Sequence, residues 1–267
     1  MNCASWDGEV QGAAEHIADF ARQMEARGVC FVYIACPSPM ESDPLLFFKA
    51  DALPPGQITV PSHRKFVHDL AKMGVNVVDL NAAFRARREA GEIRSFFMDE
   101  SHWSNVGIEV AATETARYLR HLGLRSSANP IVRLPGKTNY PHGGKPIEGY
   151  TVWQDTPEGL LAFEERHDSQ VAIFGSSYQW YAFRKPMSRT MNLGMENGVA
   201  GIHAQLAFEL QADVSGSLRA SPWRVRFPDG YLAGRKALVF AGYGFEYEGA
   251  MESWEQARIP DSVFEKP

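Results

Sequence analysis

Val29-Cys-Phe-Val-Tyr-Ile-Ala-Cys36 is an unbroken apolar run, stopped by Pro37 and Pro39. A strand with one solvated face alternates apolar and polar residues, so a run that is apolar throughout reads as a strand covered on both faces of a parallel sheet. Upstream, His16–Gly28 places Ile17, Phe20, Ala21 and Met24 at the i, i+3, i+4, i+7 spacing of an amphipathic helix, with Gly28 at the C-cap position. Downstream, the stretch from Met40 to Pro61 holds four prolines and little periodicity and reads as a loop. A second helix through Phe66, Val67, Leu70 and Ala71 stops at Gly74, and Val75–Leu80 (VNVVDL) is a second buried strand.

The same reading extends to the rest of the chain. The charge run FRARREAGE, residues 84–92, is assigned to the solvated face of a helix. Ser104 is placed to cap another helix that carries Ile108, Ala112, Thr115 and Leu119 on one face. Residues 125–150 are rich in Pro, Gly, Asn and His and are expected to form a long connection or an excursion. Three further strand candidates are SQVAIFGSS (169–177), SRTMNLGM (188–195) and KALVFAGYGFEY (236–247). The expected architecture is one α/β domain over residues 1–267, with a doubly wound, mainly parallel five-stranded sheet and helices on both faces. Ligands of such sheets bind beyond the C-terminal ends of the strands.

Composition narrows the partners. A net charge of −5 and a pI near 5.9 provide no basic field for a nucleic-acid backbone or an anionic membrane, so nucleic acid is excluded as an expected partner. The three cysteines, Cys3, Cys30 and Cys36, are odd in number and one lies in an apolar strand, which does not read as a disulfide framework. No stretch approaches the roughly 18 to 20 apolar residues of a membrane span. The start, MNCASWDGEV, lacks the regions of a secretory signal. The chain taken alone therefore reads as cytoplasmic, unless an export segment lies upstream.

Two turns carry chemistry. The strand VAIF runs into Gly175-Ser176-Ser177-Tyr178, and a small-residue turn at a strand end presents a hydroxyl and backbone N–H groups to one point, as acyl transfer needs. Either serine qualifies as nucleophile on that argument; the alternative is a pair of helix N-caps. In Met98-Asp99-Glu100-Ser101-His102-Trp103-Ser104, an imidazole follows two carboxylates. A carboxylate so near in sequence can hold the Nδ1 proton of His102 and leave Nε2 as general base. The other histidines (63, 68, 121, 142, 167 and 203) form no metal-ligand spacing, and NLGMENGVAG lacks the fixed glycine pattern of dinucleotide sites, so neither metal nor cofactor is expected.

SHWSNVG, preceded by an acidic pair, resembles the D-x-H-W or D-x-x-H segment of SGNH hydrolase-like proteins, in the form with tryptophan after the histidine that is similar to the AlgX/AlgJ type of alginate O-acetylation proteins. The order matches too, because the acid–histidine turn precedes the serine turn, the reverse of ordinary SGNH esterases. RGVCFVYIACPSP, VNVVDL, IFGSSYQ, MNLGMENG and KALVFAGYGFEY extend the likeness over roughly residues 13 to 247.

The resemblance implies Ser177, the third residue of a G-x-S-Y turn, as nucleophile and His102 as general base. The acid is Glu100 in the acetyltransferase register and Asp99 in the esterase register. Backbone N–H of Ser177, with Asn192 or Gly194, is implied for the oxyanion hole; Tyr178, Trp180, Arg184 and Trp103 are the candidates to line an acyl or sugar pocket. The implied activity is O-acetyl transfer or ester hydrolysis on a polysaccharide or other carbohydrate. It brings in a carbohydrate substrate and an acyl donor, with a membrane partner protein a candidate supplier, and a periplasmic or envelope location. The alternative from another class is a catalytically inactive carbohydrate-binding or assembly component that kept the fold.

Overall fold

The structure is a computed structural model that describes residues 6–44, 49, 60–92, 96–97, 103–138, 147–163, 166–175, 200–219, 226–243 and 258–265. In chain order the elements are α1 (Trp6–Glu25), β1 (Cys30–Cys36), α2 (Pro39–Ser42), α3 (Pro61–Lys72), β2 (Asn76–Asp79), α4 (Leu80–Glu89), α5 (Asn105–Leu119), β3 (Ile131–Thr138), β4 (Ile147–Thr156), β5 (Gly159–Ala162), β6 (Val171–Gly175), α6 (Ile202–Leu210), β7 (Val214–Arg219) and β8 (Ala237–Tyr243).

Five strands form a parallel sheet in the order β2-β1-β8-β6-β7. Side chains alternate across it, as strand geometry requires. Val32, Ile34 and Cys36 of β1, Val171 and Ile173 of β6, and Val239 and Ala241 of β8 face one core that is closed by α4, α5 and α6. Phe31, Tyr33 and Ala35, Ala172 and Phe174, and Leu238 and Phe240 face the other, closed by α1 and α3. The sheet is therefore α/β with helices on both faces, and β1 is the doubly buried strand that its apolar run specifies.

The fifth strand departs from expectation. It is β7, which the sequence reading did not select, whereas the candidate at 188–195 lies outside the described residues. Residues 125–150 also hold regular structure: β3, and the first residues of β4, belong to an antiparallel sheet of order β3-β4-β5 inserted between α5 and β6. Ile131 and Val152 pack into the core of α5 and α6. Arg133 holds the insertion down, with its guanidinium 4.3 Å from the ring centroid of Tyr150 and 4.5 Å from that of Phe208. Among the described residues, no helix is long and apolar enough to cross a membrane.

Candidate active site

All strands of the main sheet run the same way, so their C-terminal ends share one edge. The chain proceeds from β1 outward to β2, and from β6 outward to β7 in the opposite direction, with β8 between the two. Such a divergence is where ligands of doubly wound sheets bind. Two described segments at this edge immediately precede or flank the turns that the sequence singles out.

The first is the end of β6. Gly175, its last residue, is in register with Ala241 of β8 and Arg219 of β7. A Cβ there would lie 2.3 Å from the Ala241 carbonyl oxygen, so only glycine fits. Ser177 follows two residues later.

The second segment is held against the end of β1. Phe97 and Trp103 pair as an antiparallel bridge, and the Ser104 N–H donates to the Phe96 carbonyl at 2.8 Å. The indole N–H of Trp103 donates to Cys36 Sγ at the last residue of β1, and the ring is only 2% exposed. Ser104 caps α5, its Oγ accepting from Gly107 N–H at 3.2 Å. At Gly107 a Cβ would fall 2.3 Å from the Phe96 carbonyl oxygen, which explains why a glycine stands five residues after His102. One strand, β8, separates β1 from β6, so the two anchoring strands are about 10 Å apart.

Side chains beneath the bridge complete the anchor. Asp43, at the C-cap of α2, is buried; its Oδ2 accepts from the backbone N–H groups of Phe96 at 2.6 Å and Phe97 at 3.0 Å. Its Oδ1 accepts from Arg88 of α4. Arg88 also donates to the Glu92 carbonyl at 2.8 Å, and its guanidinium lies 4.4 Å from the Phe96 ring centroid. The charge run assigned to a solvated face thus turns one arginine inward. Sequence reasoning missed both partners because they are 45 residues apart and no local periodicity links them.

Two more polar clusters tie helices to the segments that follow β1 and β2. Glu41 Oε1 accepts from Val60 N–H at 2.8 Å, and its Oε2 lies 3.3 Å from His63 Nδ1, both side chains being buried. This joins the segment after β1 to the start of α3. Asp79 ends β2, caps α4 through Asn81 and Ala82 N–H, and receives Arg64 at 3.0 and 2.5 Å. Burial raises its pKa, but the hydrogen bonds and charge of Arg64 and the two backbone donors outweigh that and hold the carboxyl below its ordinary value. The Cys30 thiol, at the opposite end of β1, is pushed up by burial and then by Glu25.

Of the residues the sequence selects, Trp103 is described, and its ring is packed in the core beside Cys36. Asp99, Glu100, His102, Ser176, Ser177, Tyr178, Trp180, Arg184, Asn192 and Gly194 lie outside the described residues. Among the described residues no three His, Cys, Asp or Glu side chains group as metal ligands.

A family model described as "SGNH hydrolase-like domain, acetyltransferase AlgX" matches residues 4–214. The chain belongs to this AlgX family. Its fold is shared with the O-acetyltransferase domain of Pseudomonas putida AlgJ, at a TM-score of 0.58 and 14% identity, over 99% of this chain and 90% of that one. It is likewise similar to Pseudomonas aeruginosa AlgX, at 0.54 and 10% identity, over 86% of this chain and 55% of the other, so the chain spans about half the length of that protein. Bacillus cereus PatB1 is similar at 0.51 and 12% identity, over 95% of this chain and 93% of that one. No curated protein sequence matches the chain. Membership of the AlgX family puts the chain among SGNH-like O-acetyltransferase proteins; at 10 to 14% identity, the structural likenesses carry the fold.

Proposed function

We propose that the chain is a serine-dependent O-acetyltransferase or esterase that acts on a polysaccharide or other carbohydrate through an acetyl-serine. The observation that carries this reading is that the described flanks of both turns, Gly175 at the end of β6 and the Phe97–Trp103 bridge tied to the end of β1 through Cys36, meet the C-terminal edge of the sheet with β8 between those two strands. The roles are those implied by the likeness of the two turns to the family's motifs.

In this reading His102 Nε2 takes the proton of Ser177 Oγ as the oxygen attacks the acyl carbonyl, and returns it to the leaving group as the acyl–oxygen bond breaks. Asp99 or Glu100 holds the Nδ1 proton and keeps the ring in the base tautomer. Backbone N–H of Ser177, with Asn192 or Gly194, receives the negative charge of the tetrahedral intermediate. A sugar hydroxyl or water, deprotonated by the same imidazole, then releases the acyl group and restores the serine. Tyr178 and Arg184 line the acceptor side, and Trp103 fixes the chain beside the base. The acyl donor is a separate component, for which a membrane partner protein is a candidate supplier, and the site of action is the periplasm or envelope.

The test is p-nitrophenol release from its acetate ester. Ser177→Ala is expected to lower kcat/KM about a thousandfold or more with the fold intact. Asp99→Asn and Glu100→Gln, run side by side, identify the acid as the carboxylate whose loss abolishes turnover. A wild-type protein whose slow release of p-nitrophenol is unchanged by Ser177→Ala contradicts the proposal.

A further inference from the structure

We propose that the buried Asp43–Arg88 pair is a positioning device for the acid–histidine turn, a role that rests on the function proposed above. The carboxylate satisfies two consecutive backbone donors, Phe96 and Phe97, with one oxygen and the guanidinium with the other. Two adjacent N–H groups that donate to a single oxygen constrain the backbone between them, so the contact fixes the direction in which the chain leaves Phe97. Five residues later the chain returns at Trp103, pinned to Phe97 by the bridge and to Cys36 by its indole. Both candidate acids and the base lie in that interval.

The arginine helps to keep the carboxylate in place. Phe84 and Arg88 stand one turn apart on α4 and face the same way: Phe84 stacks on Phe96 at 4.2 Å and 4°, and Arg88 lies over the Phe96 ring. Arg88 is about one third exposed, while Asp43 is 4% exposed, so the pair sits at the rim of the core with its acid inside. Losing the guanidinium removes the charged donor to Asp43 Oδ1 and the cation over the Phe96 ring, which loosens the hold of the carboxylate on the two N–H groups. A base displaced by a fraction of an ångström loses rate, not substrate affinity.

The experiment compares Arg88→Met, Arg88→Lys and Arg64→Met in the full chain. Arg64→Met breaks the ion pair to Asp79 and serves as the control for a purely structural loss. Hydrogen exchange of the peptide covering residues 96–104 is measured together with the pH profile of kcat and KM for p-nitrophenyl acetate. Arg88→Met is expected to speed exchange in that peptide and to lower kcat about tenfold, with KM within twofold of wild type. The acid limb of its profile is expected to move as the imidazole loses its fixed carboxylate, Arg88→Lys recovering part of both effects. Arg64→Met is expected to change neither.

Unchanged exchange at 96–104 in Arg88→Met overturns the proposal, as does faster exchange with kcat and its pH profile equal to those of Arg64→Met. Where wild type shows no Ser177-dependent turnover, the proposed function falls instead. The positioning role is then decided by exchange and by the His102 ring titration in nuclear magnetic resonance spectra: a shifted midpoint in Arg88→Met supports it and an unshifted one overturns it.

Discussion

Every residue of β6 is buried, whereas β5 leaves Leu160 and Leu161 46% and 53% exposed. The parallel sheet lies between two helical layers and carries at one edge the described flanks of both turns that the sequence singles out; the antiparallel insertion packs on α5 and α6 through Ile131 and Val152. The proposed chemistry makes stability and positioning depend on the same side chains in the first region, and on few side chains in the second.

The largest effect that sharpens this contrast is Phe174→Ala. The ring is fully buried, with Phe240, Phe227 and Phe20 at 5.0, 5.9 and 6.1 Å. Its loss one residue before Gly175 is expected to cost about 3–5 kcal/mol in urea unfolding. A cost under about 1 kcal/mol would mean that β6 is not the rigid support described.

Next comes Asp79→Ala at the end of β2, expected to cost about 1–2 kcal/mol at pH 7 through loss of the α4 cap. The folded pKa of Asp79 is depressed, so its ionic contribution is complete above the unfolded value of about 3.9 and disappears as pH falls through the folded one. The gap between wild type and variant should therefore narrow below about pH 4. A gap that widens on acidification would break the account of the Arg64–Asp79 pair.

The smallest effect is expected from Leu161→Ser on β5, within about 0.5 kcal/mol, since its side chain is mostly solvated. A loss of more than about 2 kcal/mol would erase the distinction between the two regions.

The contrast also explains what was legible in the sequence. Ile17, Phe20, Ala21 and Met24 are buried along α1, and Gly28 has φ +75° where the helix ends. Ile108, Ala112, Thr115 and Leu119 are buried along α5 behind the Ser104 cap. These elements are readable because burial on one helical face, or on both strand faces, leaves a period in the residues. On α3, Ala71 is exposed although Phe66, Val67 and Leu70 are buried, because a small residue at the margin of the apolar face carries no directional signal. β7 was missed because Ser215 and Gly216 interrupt the apolar run, although Ser215 is fully buried. β3 was missed because Pro135 and Gly136 occupy a strand whose only fully buried apolar residue is Ile131.

The site divides in the same way. The two turns were selected by residue type and order, and their chemistry-bearing side chains lie outside the described residues. Asp43, Cys36 and Arg88 left no local trace, because the sequence does not record which distant backbone a buried carboxylate serves.

The central claim is that Ser177 carries the acyl group and His102 activates it, and peptide mass mapping of protein quenched during turnover of p-nitrophenyl acetate tests it most directly. The account predicts one acetyl group on the peptide bearing Ser177 in wild type, none in Ser177→Ala, and a greatly slowed appearance in His102→Ala. Acetylation that lands elsewhere, or that forms at the wild-type rate without His102, would contradict it.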